Sequence, residues 1–260
     1  METAIHDVET RDGGRLAFRT FGDTGETVVL LPSLGRSGSD FENLGSALVE
    51  AGFRAVAVDQ RGVDDSTGPV DSITLHVLAA DVASLIESLD CEPAHVVGHA
   101  FGNRVARCLA TDRQELVRSV SLLAAGGMVE PSAEIREALR RCFQLELPDA
   151  ERLEAIQAAF FAPENEAAVW RDGWWPGGAA IQGKANLATP LEDWWEAGSA
   201  PLLVVQGLDD ATAPVANGYA LKEQLGDRVE LVDIADAGHA LLPEQPEEIA
   251  EAVLGFLARH

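Results

Sequence analysis

Short β-branched runs alternate with stretches of helical apolar spacing along most of this chain, and that alternation confines the fold to a mostly parallel sheet wrapped by helices. Residues 4–21 read as a hairpin turning at Asp12-Gly13-Gly14. Strands are expected over 27–31, 53–59, 94–97, 117–123, 201–206 and 229–234, and helices over 40–50, 74–89, 103–111 and 246–258. Residues 129–198 break the rhythm: helical patterns such as 133–143 and 150–161 dominate, and no strand-like run occurs. The expected organisation is a core of residues 1–128 and 199–260 with a helical cap, 129–198, inserted between two core strands. Trp170, Trp174, Trp175, Trp194 and Trp195 all fall in the insert, where they either fasten it to the core or roof a ligand site.

Charge narrows the partners. With 43 acidic against 19 basic residues, a net charge of −24 repels nucleic acid and anionic membranes, so neither is expected. No run approaches the ~18 apolar residues of a membrane span, and the first seven residues lack the basic and apolar regions of a secretory leader. Three cysteines, Cys91, Cys108 and Cys142, have no metal-type spacing and fit reduced thiols in a cytoplasmic protein. With no G-x-G-x-x-G after a strand, no P-loop and no clustered His/Cys ligands, neither cofactor nor metal is expected.

The chemistry centres on Gly98-His99-Ala100-Phe101-Gly102, between the strand at 94–97 and a helix. A strand that turns sharply into a helix through G-x-S-x-G exposes its central side chain as a nucleophile, and the glycines let strand and helix nearly touch. Two partners follow in the order such a site requires. Asp210 lies in Gly207-Leu208-Asp209-Asp210-Ala211-Thr212-Ala213-Pro214, and His239 lies in Ala237-Gly238-His239, each after a core strand.

These pieces, with Leu30-Leu31-Pro32-Ser33-Leu34-Gly35 and Asp59-Gln60-Arg61-Gly62, resemble a bacterial α/β-hydrolase of the group holding esterases, lactonases, cofactor-free haloperoxidases and C–C hydrolases. The resemblance spans nearly the whole chain. It implies an eight-stranded, mostly parallel sheet with an inserted cap and a small organic substrate. It makes His239 the general base, Asp210 the acid orienting it, and the backbone N–H groups of Leu34 and Phe101 the oxyanion-hole donors. It also makes a homodimer an open expectation. Ser33, Arg36, His99, Trp170, Trp174 and Trp175 are the candidate substrate contacts around that site.

Three departures stand out. The usual His-Gly-x-Gly loop reads Pro32-Ser33-Leu34-Gly35, Asp64 replaces a glycine, and Ala100 stands at the nucleophile position. A methyl group cannot attack a carbonyl, and loss of the nucleophile from a comparable triad costs about 10⁶ in kcat. Three readings follow: a serine hydrolase whose serine has been exchanged for alanine, by natural divergence or by design; an enzyme working through His239 without a covalent intermediate; or a non-catalytic protein holding a small ligand in the capped pocket. A protein-interaction role has only the acidic charge behind it.

Overall fold

The computed structural model describes residues 4–260, so the first three of the seven residues read for a leader lie outside the described part. Eight strands form one sheet: β1 (Ala4–Glu9), β2 (Arg15–Phe21), β3 (Thr27–Leu31), β4 (Arg54–Val58), β5 (Ala94–His99), β6 (Val117–Leu123), β7 (Leu202–Gly207) and β8 (Val229–Ile234). Their order is β1-β2-β4-β3-β5-β6-β7-β8. The β1–β2 and β2–β4 pairs are antiparallel, and the remaining pairs are parallel. Strands β3, β5 and β7 are buried at every position, as strands covered on both faces must be.

Helices α1 (Glu42–Glu50) and α8 (Pro246–Leu257) pack on one face, where Phe41, Leu48, Val253 and Phe256 fill the interior with Val28 and Leu30. Helices α2 (Leu75–Ser88), α3 (Phe101–Asp112) and α7 (Ala216–Leu225) cover the other, against Val29, Leu31, Val96 and Leu122. Between β6 and β7 the chain forms α4 (Ala133–Cys142), α5 (Asp149–Phe160) and α6 (Pro176–Leu187). This insert has its own apolar cluster, in which Trp170 and Trp174 meet Phe160, Phe161 and Ile156. Two helices show no clear helical period in the sequence: α6, in the insert, carries Gly177, Gly178 and Gly183, and α7, after it, buries little beyond Asn217, Gly218 and Leu221.

The insert is tied to the core close to the loops that follow β7 and β8. The N–H of Ala240 donates to the Phe160 carbonyl at 2.8 Å, and the Thr212 hydroxyl to the Ala159 carbonyl at 2.6 Å. Glu244 accepts from the N–H groups of Ala162 (2.8 Å) and Gly238 (2.9 Å) and from Asn165 Nδ2 (2.9 Å). Burial raises the Glu244 carboxyl above its ordinary value. Among the described residues no helix is long and apolar enough to cross a membrane. Cys91, Cys108 and Cys142 are all free thiols, two of them buried.

Candidate active site

The junction of β5 and α3 brings strand and helix into backbone contact. A Cβ on Gly102 would lie 2.0 Å from the Leu31 carbonyl oxygen, and one on Gly98 would lie 2.5 Å from the backbone of Asn103. No side chain larger than hydrogen fits at either position without backbone movement. The turn between them places Ala100 at φ 52° and ψ −109°, outside the wells an alanine ordinarily occupies. Two hydrogen bonds hold it there: Ala100 N–H donates to the Leu123 carbonyl (2.8 Å), and Asn103 N–H donates to the Ala100 carbonyl (3.2 Å). The Ala100 methyl group lines a cavity of about 270 Å³ together with Ser33, Leu34, Phe101, Phe160 and His239.

Asp210 and His239 meet at this cavity. Asp210 Oδ2 lies 2.8 Å from His239 Nδ1, while Asp210 Oδ1 accepts the N–H groups of Thr212 (2.9 Å) and Ala213 (2.6 Å). Those donors fix the carboxylate, which leaves its second oxygen directed at the imidazole and Nε2 of His239 free for chemistry. Asp209, the neighbouring acid, is exposed.

Phe101 is the first residue of α3, so its N–H belongs to the unpaired donors of a helix start, where the helix dipole also favours negative charge. Leu34 N–H has no hydrogen-bond partner among the described residues, and both residues line the cavity. Their loop is held from three sides. Gly35 N–H donates to Gln182 Oε1 of α6 (2.7 Å), Gly38 N–H to Asp59 Oδ1 (2.7 Å), and Gln60 Nε2 to the Pro32 carbonyl (3.4 Å). Asp59 and Gln60 thus brace the loop carrying Leu34, while Arg61 is locked in a two-pronged pair with Asp81 at 2.6 and 2.7 Å. Asp64 takes up φ 48°, the left-handed backbone that a glycine would supply there and that Asp tolerates better than most residues.

Of the six candidate substrate contacts, only Ser33 lines this cavity; the other five lie outside its wall. Arg36 is buried and committed to Asp40 (2.6 and 2.8 Å) and to the Asp172 carbonyl (2.7 Å). Its guanidinium lies 4.6 Å from the Trp170 ring centre and 5.0 Å from that of Trp174. Those two tryptophans are the apolar seam between insert and core, with Trp174 Nε1 donating to the Trp170 carbonyl at 2.6 Å. Trp175 donates its N–H to the Gly35 carbonyl at 2.9 Å and anchors the loop by its backbone.

His99 is fully buried behind the dyad. Its Nε2 lies 2.7 Å from the His239 carbonyl, which can only accept, so Nε2 carries the proton and donates. Burial, reinforced by His239, pushes the His99 pKa down to about 3 and keeps the ring neutral. Two further residues of the site have no motif to announce them: Glu244, which pins Gly238 beside His239, and Arg104, which lines the cavity one helical turn after Ala100.

His76, Cys108 and Asp112 form the only His/Cys/Asp/Glu group among the described residues whose ligand atoms all lie within 4.8 Å of one another. His76 is already hydrogen-bonded to Asp112 (2.7 Å), and burial drives the Cys108 thiol far above its ordinary value, away from the thiolate a metal would need.

The sheet order, the strained turn after β5 and the acid–histidine pair at the carboxyl ends of β7 and β8 define an α/β-hydrolase-fold protein with a helical insertion. The chain belongs to the alpha/beta hydrolase family, whose model matches residues 28–252. It is 31% identical over 255 residues to a protein of Rhizobium rhizogenes named as a carbamate hydrolase, covering 89% of this chain and 92% of that one. It is 29% identical over 254 residues to a Mycobacterium tuberculosis protein named as a non-heme bromoperoxidase, covering 90% and 95%. A solved hydrolase structure from Pseudomonas aeruginosa superposes with a TM-score of 0.82 at 25% identity, covering 97% of this chain and 98% of that one.

Proposed function

We propose that this protein acts on a small organic substrate held between the sheet and the helical insertion, with His239, oriented by Asp210, as general base and with no covalent bond to residue 100. The observation that carries the reading is the pairing of His239 with Asp210 at 2.8 Å beside an alanine that still holds the strained turn. That turn starts α3 at Phe101, a cavity-lining residue whose N–H belongs to the unpaired donors of the helix start. It therefore keeps a use for a reaction that builds up negative charge on oxygen even when no nucleophile stands at its apex. In the proposed step, Nε2 of His239 takes a proton from water attacking an acyl carbon, or from the substrate itself, while the Leu34 and Phe101 N–H groups receive the developing oxyanion. The insertion serves as the cap that excludes bulk water, and the three free thiols suit a reducing compartment such as the cytoplasm.

The test compares this chain with its His239→Ala and Ala100→Ser variants on esters, lactones and C–C-cleavable diketones. The unaltered chain should turn over at least one class, with the His239→Ala variant slower by about 10²–10⁴-fold. The Ala100→Ser variant should gain labelling by a fluorophosphonate and hydrolyse activated esters. Turnover that is indifferent to His239, or binding of these compounds with no turnover by the unaltered chain, would overturn the catalytic reading; the latter would favour a ligand-holding protein.

A further inference from the structure

Arginines in this strongly acidic chain are mostly spoken for. Arg36 and Arg61 each turn the edge formed by Nε and Nη2 onto a carboxylate, Arg36 onto Asp40 (2.8 and 2.6 Å) and Arg61 onto Asp81 (2.6 and 2.7 Å). Arg104, like the exposed Arg136 elsewhere on the cavity wall, has no such acid. Its only hydrogen bond in the protein runs from Nη1 to Asn186 Oδ1, and no carboxylate of the described residues lies within 4.0 Å. Nε and Nη2 have no protein partner, and the residue lines the cavity beside Gly126, Gly127 and Asn186. Trp194 backs the guanidinium, with its ring centre 5.4 Å from the central carbon. The edge that takes Asp40 and Asp81 elsewhere in this molecule is here left open.

Position sharpens the point. Residues four apart share a helix face, and helical side chains lean toward the helix N-terminus, so Arg104 projects toward the turn that begins at Ala100. The rise between the two is about 6 Å. Glu130 is the one acid on the cavity wall, and it is exposed at the rim. A partly buried cation with two aligned free donors, in a chain of net charge −24, is a feature whose missing partner is a small anion.

We propose that the substrate carries a carboxylate, gripped by the Nε and Nη2 edge of Arg104 with Asn186 steadying the guanidinium, and separated by a short spacer from the group that meets His239. The proposal rests on reading this cavity as the substrate site. It does not rest on catalysis there, because the grip works in a binding protein as well as in an enzyme. The specificity follows from geometry: a neutral ester in place of the carboxylate leaves the guanidinium unpaired, and a lysine supplies charge without the planar fork.

Calorimetric titration tests this without requiring turnover. The probes are monomethyl succinate, glutarate and adipate, their dimethyl esters, and the phosphate monoesters of short alcohols, offered to the unaltered 260-residue chain. At least one half-ester should bind roughly tenfold or more tighter than its diester. Arg104→Gln should erase that preference, and Arg104→Lys should retain part of it. In the His239→Ala variant the preference should survive, which separates this proposal from the catalytic one. Equal binding of half-esters and diesters, absence of half-ester binding, or a preference that outlives Arg104→Gln would overturn it. Tighter binding of the phosphate monoesters than of every half-ester would also overturn it and assign the site to a phosphate.

Discussion

Alanine is an uncomfortable residue for the backbone that position 100 imposes. A side chain held at φ 52° and ψ −109° costs about 1–3 kcal/mol, and nothing in the methyl group repays it. What maintains the turn is its surroundings: Leu123, Asn103 and the two glycines over-determine it. His99 works in the same indirect way, holding the His239 backbone from behind through its Nε2–H. Because its folded pKa lies at about 3 against an ordinary 6.5, the unfolded chain takes up a proton between those values and the folded chain does not. Stability is therefore full above about pH 6.5 and falls as the pH drops toward 3, by up to about 1.4 kcal/mol per pH unit from this residue. The His99→Gln variant keeps an N–H donor but cannot titrate. Its loss of stability between pH 6.5 and 4 should be shallower than that of the unaltered chain by close to one proton, measured by urea unfolding at stepped pH. Parallel curves for the two proteins would refute this account of His99.

At the scale of elements, the junction of β5 with α3 is the tightest contact that holds the site. Gly102→Ala drives a methyl group into the Leu31 carbonyl, where it would sit at 2.0 Å, and a backbone atom cannot rotate away as a side chain can. The expected loss is about 3 kcal/mol, or roughly 6–12 °C in Tm. A thermal melt within about 2 °C of the unaltered chain would show that strand and helix are not pressed together as described. This element was legible in advance because its glycines, its strand and its helix stand together in sequence. So were Asp210 and His239, each marked by a short motif after a β-branched run. The opposite holds for α6 and α7, whose glycines and scarce apolar residues hide the helical period. Side-chain destinations were harder still. Nothing in the order of residues shows that Arg36 turns to Asp40 and stacks on two tryptophans, while Arg104, with the same chemistry, faces an open cavity. Which arginine is satisfied depends on acids brought near by folding.

The whole molecule carries a net charge of −24, and the sign of its response to salt follows from that excess. Exposed pairs such as Arg11–Glu87, Arg140–Glu137 and Arg259–Glu230 lose attraction as salt is added, but surface pairs contribute at most about 1 kcal/mol each. With 43 acids against 19 lysines and arginines, most carboxylates have no cation to pair with and repel one another across the surface. Folding draws those charges closer together than they lie in the expanded chain, so repulsion penalises the native state. The Debye length falls from about 30 Å at 0.01 M salt to about 10 Å at 0.1 M, which removes most of the long-range repulsion while the buried Arg61–Asp81 and Arg36–Asp40 pairs stay largely unscreened. Tm should therefore rise by several degrees between about 0.01 M and 0.3 M sodium chloride at pH 7, and most of the rise should come below 0.1 M. Replacing exposed acids far from the cavity with neutral amides, for example Glu9→Gln, Glu92→Gln and Glu223→Gln together, should raise Tm at low salt and flatten the dependence. A Tm that falls with salt would mean that the surface pairs outweigh the acidic excess, and the charge would then have to be read as a network of attractions.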